Sequence, residues 1–90
     1  MNLTVEQKED LRHEVRTALA IRHPAALTPR QLMRMVKKEL DFLFEEPDVI
    51  AALELLRGLS PAETDFTADP LGTTKYWRAT SAGVLAHERA

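Results

Sequence analysis

The spacing of hydrophobic and polar positions changes along the chain, and each change marks an element. Leu11, Val15, Ala18 and Leu19 recur at helical spacing and make one apolar stripe. Thr4 suits the N-cap of that helix because its hydroxyl can accept from a free backbone N–H, while Glu6, Glu9 and Asp10 complement the positive helix end. The helix is expected to run to about Arg22. His23-Pro24 stops it, since a residue before proline is pushed out of the α region.

A second helix starts at Leu27-Thr28-Pro29-Arg30-Gln31, where Thr28 caps, Pro29 takes the first helical position and Gln31 can complete a capping box. Leu32, Val36 and Met33 should face inward. The stretch Leu40-Asp41-Phe42-Leu43-Phe44 is too apolar for a free loop and should tuck Phe42 or Phe44 into the core. A third helix then starts at Pro47 or Asp48 and ends at Gly58, with Val49, Ala52, Leu53 and Leu56 as its inward stripe.

After Leu59-Ser60-Pro61 the period shortens. Thr64 and Phe66 read as one strand, Asp69-Pro70-Leu71-Gly72 as a turn, and Lys75 to Ala79 as the returning strand. On that strand Trp77 and Ala79 share one face and Tyr76 and Arg78 the other. Thr80 or Ser81 caps a short last helix through Val84, Leu85 and His87. The expected class is α+β: three helices, a β-hairpin and a short closing helix in a single domain over residues 1–90.

Composition narrows the setting. With 44% hydrophobic and 29% charged residues, a length of 90 fits one core rather than a disordered chain. A domain of this size buries roughly 60–65% of its unfolded surface, so self-association would add usefully to its stability. There is no cysteine, which removes disulfides and thiolate zinc sites and fits a cytoplasmic protein. The polar, acidic start from Met1 to Asp10 does not read as a secretion signal, and no stretch approaches the ~18 apolar residues that span a bilayer. No membrane association is expected.

The net charge of −2 argues mildly against a protein that coats nucleic acid, but its distribution is uneven. From Arg30 to Lys38 every charged residue is basic, whereas from Glu39 to Glu54 every one is acidic. Arg30, Arg34, Lys37 and Lys38 fall on one face at helical spacing, and Arg12 and Arg16 lie one turn apart on the first helix.

Catalytic chemistry has no foothold. His13-Glu14 and His87-Glu88 lack the second histidine of a zinc motif, Gly58, Gly72 and Gly83 make no phosphate-cradling loop, and Ser60 and Ser81 sit in no nucleophile motif. No enzyme activity, metal or cofactor is expected. His23 reads as a turn residue, and Trp77 and Tyr76 as anchors of the hairpin.

Taken in order, Leu27-Thr28-Pro29-Arg30-Gln31-Leu32, the helix from Val49 to Leu59, and Tyr76-Trp77-Arg78-Ala79-Thr80-Ser81-Ala82-Gly83 resemble a winged helix-turn-helix domain. The last run is similar to that family's aromatic strand leading into a Thr-x-x-Gly turn. The texture also resembles small prophage-encoded winged-helix proteins. The resemblance implies a DNA-binding transcriptional or prophage regulator, expected as a dimer, with the third helix in the major groove, the second bracing it and the hairpin along the backbone.

The third helix departs from that pattern. Its outward residues, Asp48, Ile50, Ala51, Glu54, Leu55 and Arg57, include only Arg57 as a reader of bases. Glu63, Asp65 and Asp69 add acids to the hairpin, balanced in part by Lys75 and Arg78. The expected DNA contacts are therefore Arg30, Arg34, Lys37, Lys38, Arg57, Lys75 and Arg78. In the alternative, Ile50 and Leu55 belong to a surface for a protein partner or a second copy, without DNA; a third helix buried on both sides is the other possibility.

Overall fold

Helices begin where a side chain takes up the N–H groups that a helix start leaves free. The computed structural model describes residues 2–89, with α1 (Val5–Arg22), α2 (Pro29–Val36), α3 (Glu46–Arg57), β1 (Thr64–Ala68), β2 (Lys75–Ala79) and α4 (Ser81–Arg89) in chain order. The Gln7 N–H donates to Thr4 Oγ1 at 3.1 Å while the Thr4 N–H donates to Gln7 Oε1 at 2.9 Å. The same reciprocal box joins Thr28 and Gln31 at 3.2 and 2.9 Å, with Pro29 opening α2. Each box satisfies two otherwise free donors.

α3 starts at Glu46, one residue before the expected start, because the Asp48 carboxylate reaches back to accept the Glu45 N–H at 2.9 Å and moves the cap to Glu45. Gly58 closes this helix with φ of −76°, a conformation open to any residue, and its N–H donates to Glu54 and Leu55 carbonyls at 3.0 and 3.1 Å.

The apolar stripes meet in one core. Leu11, Val15 and Leu19 of α1, Leu32 and Val36 of α2, and Val49, Ala52, Leu53 and Leu56 of α3 are all buried, closed below by Trp77 and Ala79 of β2. Phe44 is buried beside this core and meets Phe42 edge-on at 6.0 Å between ring centroids, as the apolar 40–44 stretch required.

β1 and β2 form a two-stranded antiparallel sheet in which Thr64 faces Ala79 and Phe66 faces Trp77. The free edge of β2 is also paired: Leu27 and Trp77 exchange two backbone hydrogen bonds, both 2.7 Å. β2 therefore lies between β1 and the entrance to α2. A one-residue bridge has no period, so nothing in the sequence pattern announced it.

The hairpin is fastened at its base. Thr64 is fully buried, and its hydroxyl donates to the Leu53 carbonyl of α3 at 3.0 Å. Thr80, the N-cap of α4, accepts the Gly83 N–H at 3.1 Å, donates its hydroxyl to the Ala62 carbonyl at 2.6 Å, and donates its N–H to the Glu63 carbonyl at 3.1 Å. α4 consequently rides directly over Glu63. A Cβ at Gly83 would overlap the Glu63 carbonyl oxygen, so this position accepts only glycine without movement. That contact accounts physically for a Thr-x-x-Gly sequence at the strand end.

Among the described residues, the architecture is thus a small α+β fold, four helices with a two-stranded antiparallel sheet. Among the described residues, no helix is long and apolar enough to cross a membrane.

Candidate nucleic-acid interface

The basic residues of the second helix begin in its first turn, held in place by the Thr28 cap. Arg30 and Arg34 are exposed on α2. The helix ends at Val36, so the other two cations lie just past it. Lys37 keeps helical dihedrals (φ −58°, ψ −30°) and continues the spiral, while Lys38 occupies the following turn. Among the described residues, none of Arg30, Arg34, Lys37 and Lys38 is in an ion pair. Four cations without ion-pair partners in one short stretch give that face a positive field, which screening ions and the neighbouring Glu39 and Glu46 reduce.

The hairpin cations are held differently. Arg57, at the end of α3, has its Nε 3.8 Å from Asp65 Oδ1 and its guanidinium 4.5 Å from the Phe66 ring centroid. Lys75 Nζ lies 4.0 Å from Glu54 Oε1 and 4.5 Å from the same ring. Phe66 in turn packs on Trp77 at 4.9 Å. Arg78 sits opposite Asp65 in the strand register. Arg57 and Lys75 therefore each have an acid within ion-pair distance, whereas Arg78 is in no ion pair among the described residues. These pairs are about half exposed, which makes each worth roughly 0–1 kcal/mol, with about 0.5–1 kcal/mol more from each cation–ring contact.

The seven expected contacts thus separate into five cations in no ion pair among the described residues, Arg30, Arg34, Lys37, Lys38 and Arg78, and a compensated two, Arg57 and Lys75, between α3 and the hairpin. One feature joins them: Arg30 and Lys75 line a single groove of about 480 Å³, together with Glu46, Ile50, Thr74 and Trp77. Phe66, which the strand pattern placed only on the first strand of the hairpin, is the centre of the compensated set. Its cation partners come from positions 57 and 75, so only the packing of α3 on the hairpin brings them together.

Three expectations change. Arg16 does not add to a basic surface, because its Nη1 pairs with Glu63 Oε1 at 3.2 Å in a largely buried contact. Asp48 is not a free acid on α3 but its capping carboxylate. Asp69 likewise organises the hairpin turn, its Oδ1 accepting the Leu71 N–H at 3.0 Å.

α3 is not buried on both sides. Ile50 is 38% and Leu55 46% exposed, and Ala51 is exposed as well. Ile50 and Leu55 nevertheless do not form one patch. Five residues turn a helix through 500°, about 140° beyond a full turn. Ile50 accordingly faces the Arg30–Lys75 groove, whereas Leu55 and Ala51 line a second groove of about 190 Å³ against Leu3, Leu11 and Arg12.

Two histidines make polar contacts within the domain. His23 Nδ1 is 3.1 Å from the Ala79 carbonyl, a bond that requires the Nδ1–H tautomer and ties the end of α1 to the end of β2. His13 Nδ1 lies 3.5 Å from Arg16 Nη2. No family model, curated protein or solved structure matches this chain.

Proposed function

We propose that this chain is a winged-helix regulatory module that binds double-stranded DNA through the phosphate backbone rather than through base edges. The observation that carries the reading is the meeting of Arg30 and Lys75, from elements far apart in sequence, on one groove, with Arg34 one turn further along α2 and Lys37 and Lys38 just past its end. Further support comes from the element order and from the Leu27–Trp77 bridge, which sets the start of α2 against the hairpin.

The chemistry of α3 sets the character of the binding. Its outward face carries Ile50, Ala51, Glu54 and Leu55, none of which makes the bidentate contacts that Arg, Asn or Gln make with purines, and its one base-reading residue, Arg57, is engaged by Asp65 and the Phe66 ring. Phosphate contacts position a protein without reading sequence. Affinity should therefore vary little between unrelated duplexes.

Phosphate binding weakens steeply with salt, by a log–log slope of about −0.9 per phosphate contact. With three to five of these cations engaged, the slope should lie between about −3 and −4.5. Fluorescence anisotropy on a labelled random-sequence duplex across a salt series measures this directly. An Arg34→Glu, Lys37→Glu double variant should bind more weakly and with a shallower slope. Undetectable binding of the wild type at low salt, or equal affinity of the two proteins, removes the proposal.

A second reading, a protein-interaction module without DNA binding, is favoured by the same apolar and acidic face of α3. It stands in place of the first if the salt series shows no binding.

A further inference from the structure

The side of α3 turned away from the Arg30–Lys75 groove carries a second surface. Its floor is apolar: Leu3, Leu11, Ala51 and Leu55 line a depression of about 190 Å³ between the start of α1 and α3. Its rim carries Lys8 and Arg12, neither of them in an ion pair among the described residues, and Asp48, whose carboxylate is engaged by the Glu45 N–H. A volume near 150 Å³ lined by aliphatic side chains accommodates a benzene ring, so a leucine side chain fits this groove.

Directly beside it lies a surface of the opposite form. Leu43 projects into solvent, 72% exposed, although the aromatic residues on either side of it turn inward. Exposed Asp41 and Glu45 flank it, two residues away on each side. Leu43, Glu45 and Asp48 border one depression, and Asp48 also borders the Leu55 groove, so knob and groove adjoin.

We infer that this face is a two-fold interface between copies of this chain, in which Leu43 of each copy enters the Leu3–Leu11–Ala51–Leu55 groove of the other. A two-fold axis requires one surface to carry both halves of its own complement. This one does: an apolar knob with acidic flanks stands beside an apolar groove with Lys8 and Arg12 on its rim. Asp41 and Glu45 of one copy meet Lys8 and Arg12 of the other, twice over. The chemistry thus specifies a second copy, since each half finds its match elsewhere on the same face. The interface leaves the Arg30–Lys75 groove free and does not depend on DNA binding.

A contact built around one knob and one groove per copy falls at the small end of specific interfaces, which gives a dissociation constant on the order of 10–100 µM. Sedimentation velocity over a concentration series up to ~1 mM tests it. Leu43→Glu and Leu55→Glu alter exposed positions, should leave the circular dichroism unchanged, and should each weaken dimerisation by at least ~30-fold, as expected for a central anchor.

Charge exchange provides the decisive arm. A Lys8→Glu, Arg12→Glu variant sets acid against acid, and an Asp41→Lys, Glu45→Lys variant sets base against base, so each alone should be monomeric. Mixed in equal amounts, they restore both complementary contacts and should form a heterodimer. A loss of folding in one variant cannot produce that rescue. A wild type that stays monomeric to ~1 mM, a dimer insensitive to Leu43→Glu and Leu55→Glu, or two folded variants that fail to associate on mixing would each overturn the inference.

Discussion

Replacing Gly83 with alanine places one carbon atom where the fold has no space for it. The added Cβ would overlap the Glu63 carbonyl oxygen and sit 3.1 Å from the Glu63 carbonyl carbon. The obstacle is backbone and is held from several directions. The Glu63 N–H donates to the Leu56 carbonyl at 3.0 Å, its carbonyl accepts the Thr80 N–H at 3.1 Å, and its side chain pairs with Arg16. Relief requires α4 to lift, which strains or breaks the Thr80 bonds to Ala62 and Glu63. Overpacking of this kind costs about 1–3 kcal/mol, and a lost hydrogen bond adds roughly 1 kcal/mol. Alanine regains about 1 kcal/mol of helix propensity over glycine, so the net destabilisation is about 1–3 kcal/mol. For a domain of this size that lowers Tm by roughly 5–20 °C.

Gly58→Ala is the matched control. Its φ is −76°, and a Cβ there meets only the Glu54 and Leu55 carbonyl oxygens at 3.5 Å, an ordinary contact. It should change stability by no more than about 1 kcal/mol, in the stabilising direction. Thermal and urea unfolding followed by circular dichroism compare the two. A Gly83→Ala protein as stable as wild type, or a Gly58→Ala protein destabilised just as much, would refute the close approach of α4 to Glu63.

Further substitutions test the hairpin attachment. Thr64→Val keeps the shape of a fully buried side chain but removes its bond to the Leu53 carbonyl, and should cost about 1 kcal/mol in urea unfolding. Phe66→Ala removes a half-buried ring from Trp77 and from both Arg57 and Lys75, with an expected loss of about 2 kcal/mol. The same change should red-shift the emission of Trp77, the only tryptophan, which is 1% exposed in the wild type. Arg16 and Glu63 should show a coupling of about 1 kcal/mol in a double-mutant cycle of Arg16→Met and Glu63→Gln, larger than any coupling between the more exposed Lys75 and Glu54.

Much of the scaffold is legible in residue order because it depends on neighbours within a turn or two. Thr4, Thr28 and Pro29 announce two helix starts, since a cap is a contact between residues three apart. The stripes Leu11–Val15–Leu19 and Val49–Ala52–Leu53–Leu56 announce the buried faces, since helical period alone puts those side chains on one side. Alternation on β2 likewise sends Trp77 and Ala79 inward. The α2 cations were also visible as one cluster. Local geometry fixes each of these whatever the remainder of the chain does.

What could not be seen in order alone was which charges find partners and which faces stay uncovered. Arg16 lies beside Arg12 in the pattern of α1, yet it is neutralised by Glu63, forty-seven positions away. Arg57 and Lys75 are held by Glu54, Asp65 and the Phe66 ring, and Ile50 and Leu55 are assigned to different grooves. Gly83 reads only as the glycine of a Thr-x-x-Gly turn until Glu63 is laid against it. Each of these outcomes depends on the docking angle of α3 and α4 on the hairpin and on the strand register. Both are set by the collective packing of the core, through contacts between residues that no local period connects. Helix positions and the inward faces therefore follow from residue order, whereas the division of the surface into a cationic groove and a separate apolar groove arises only when the elements pack.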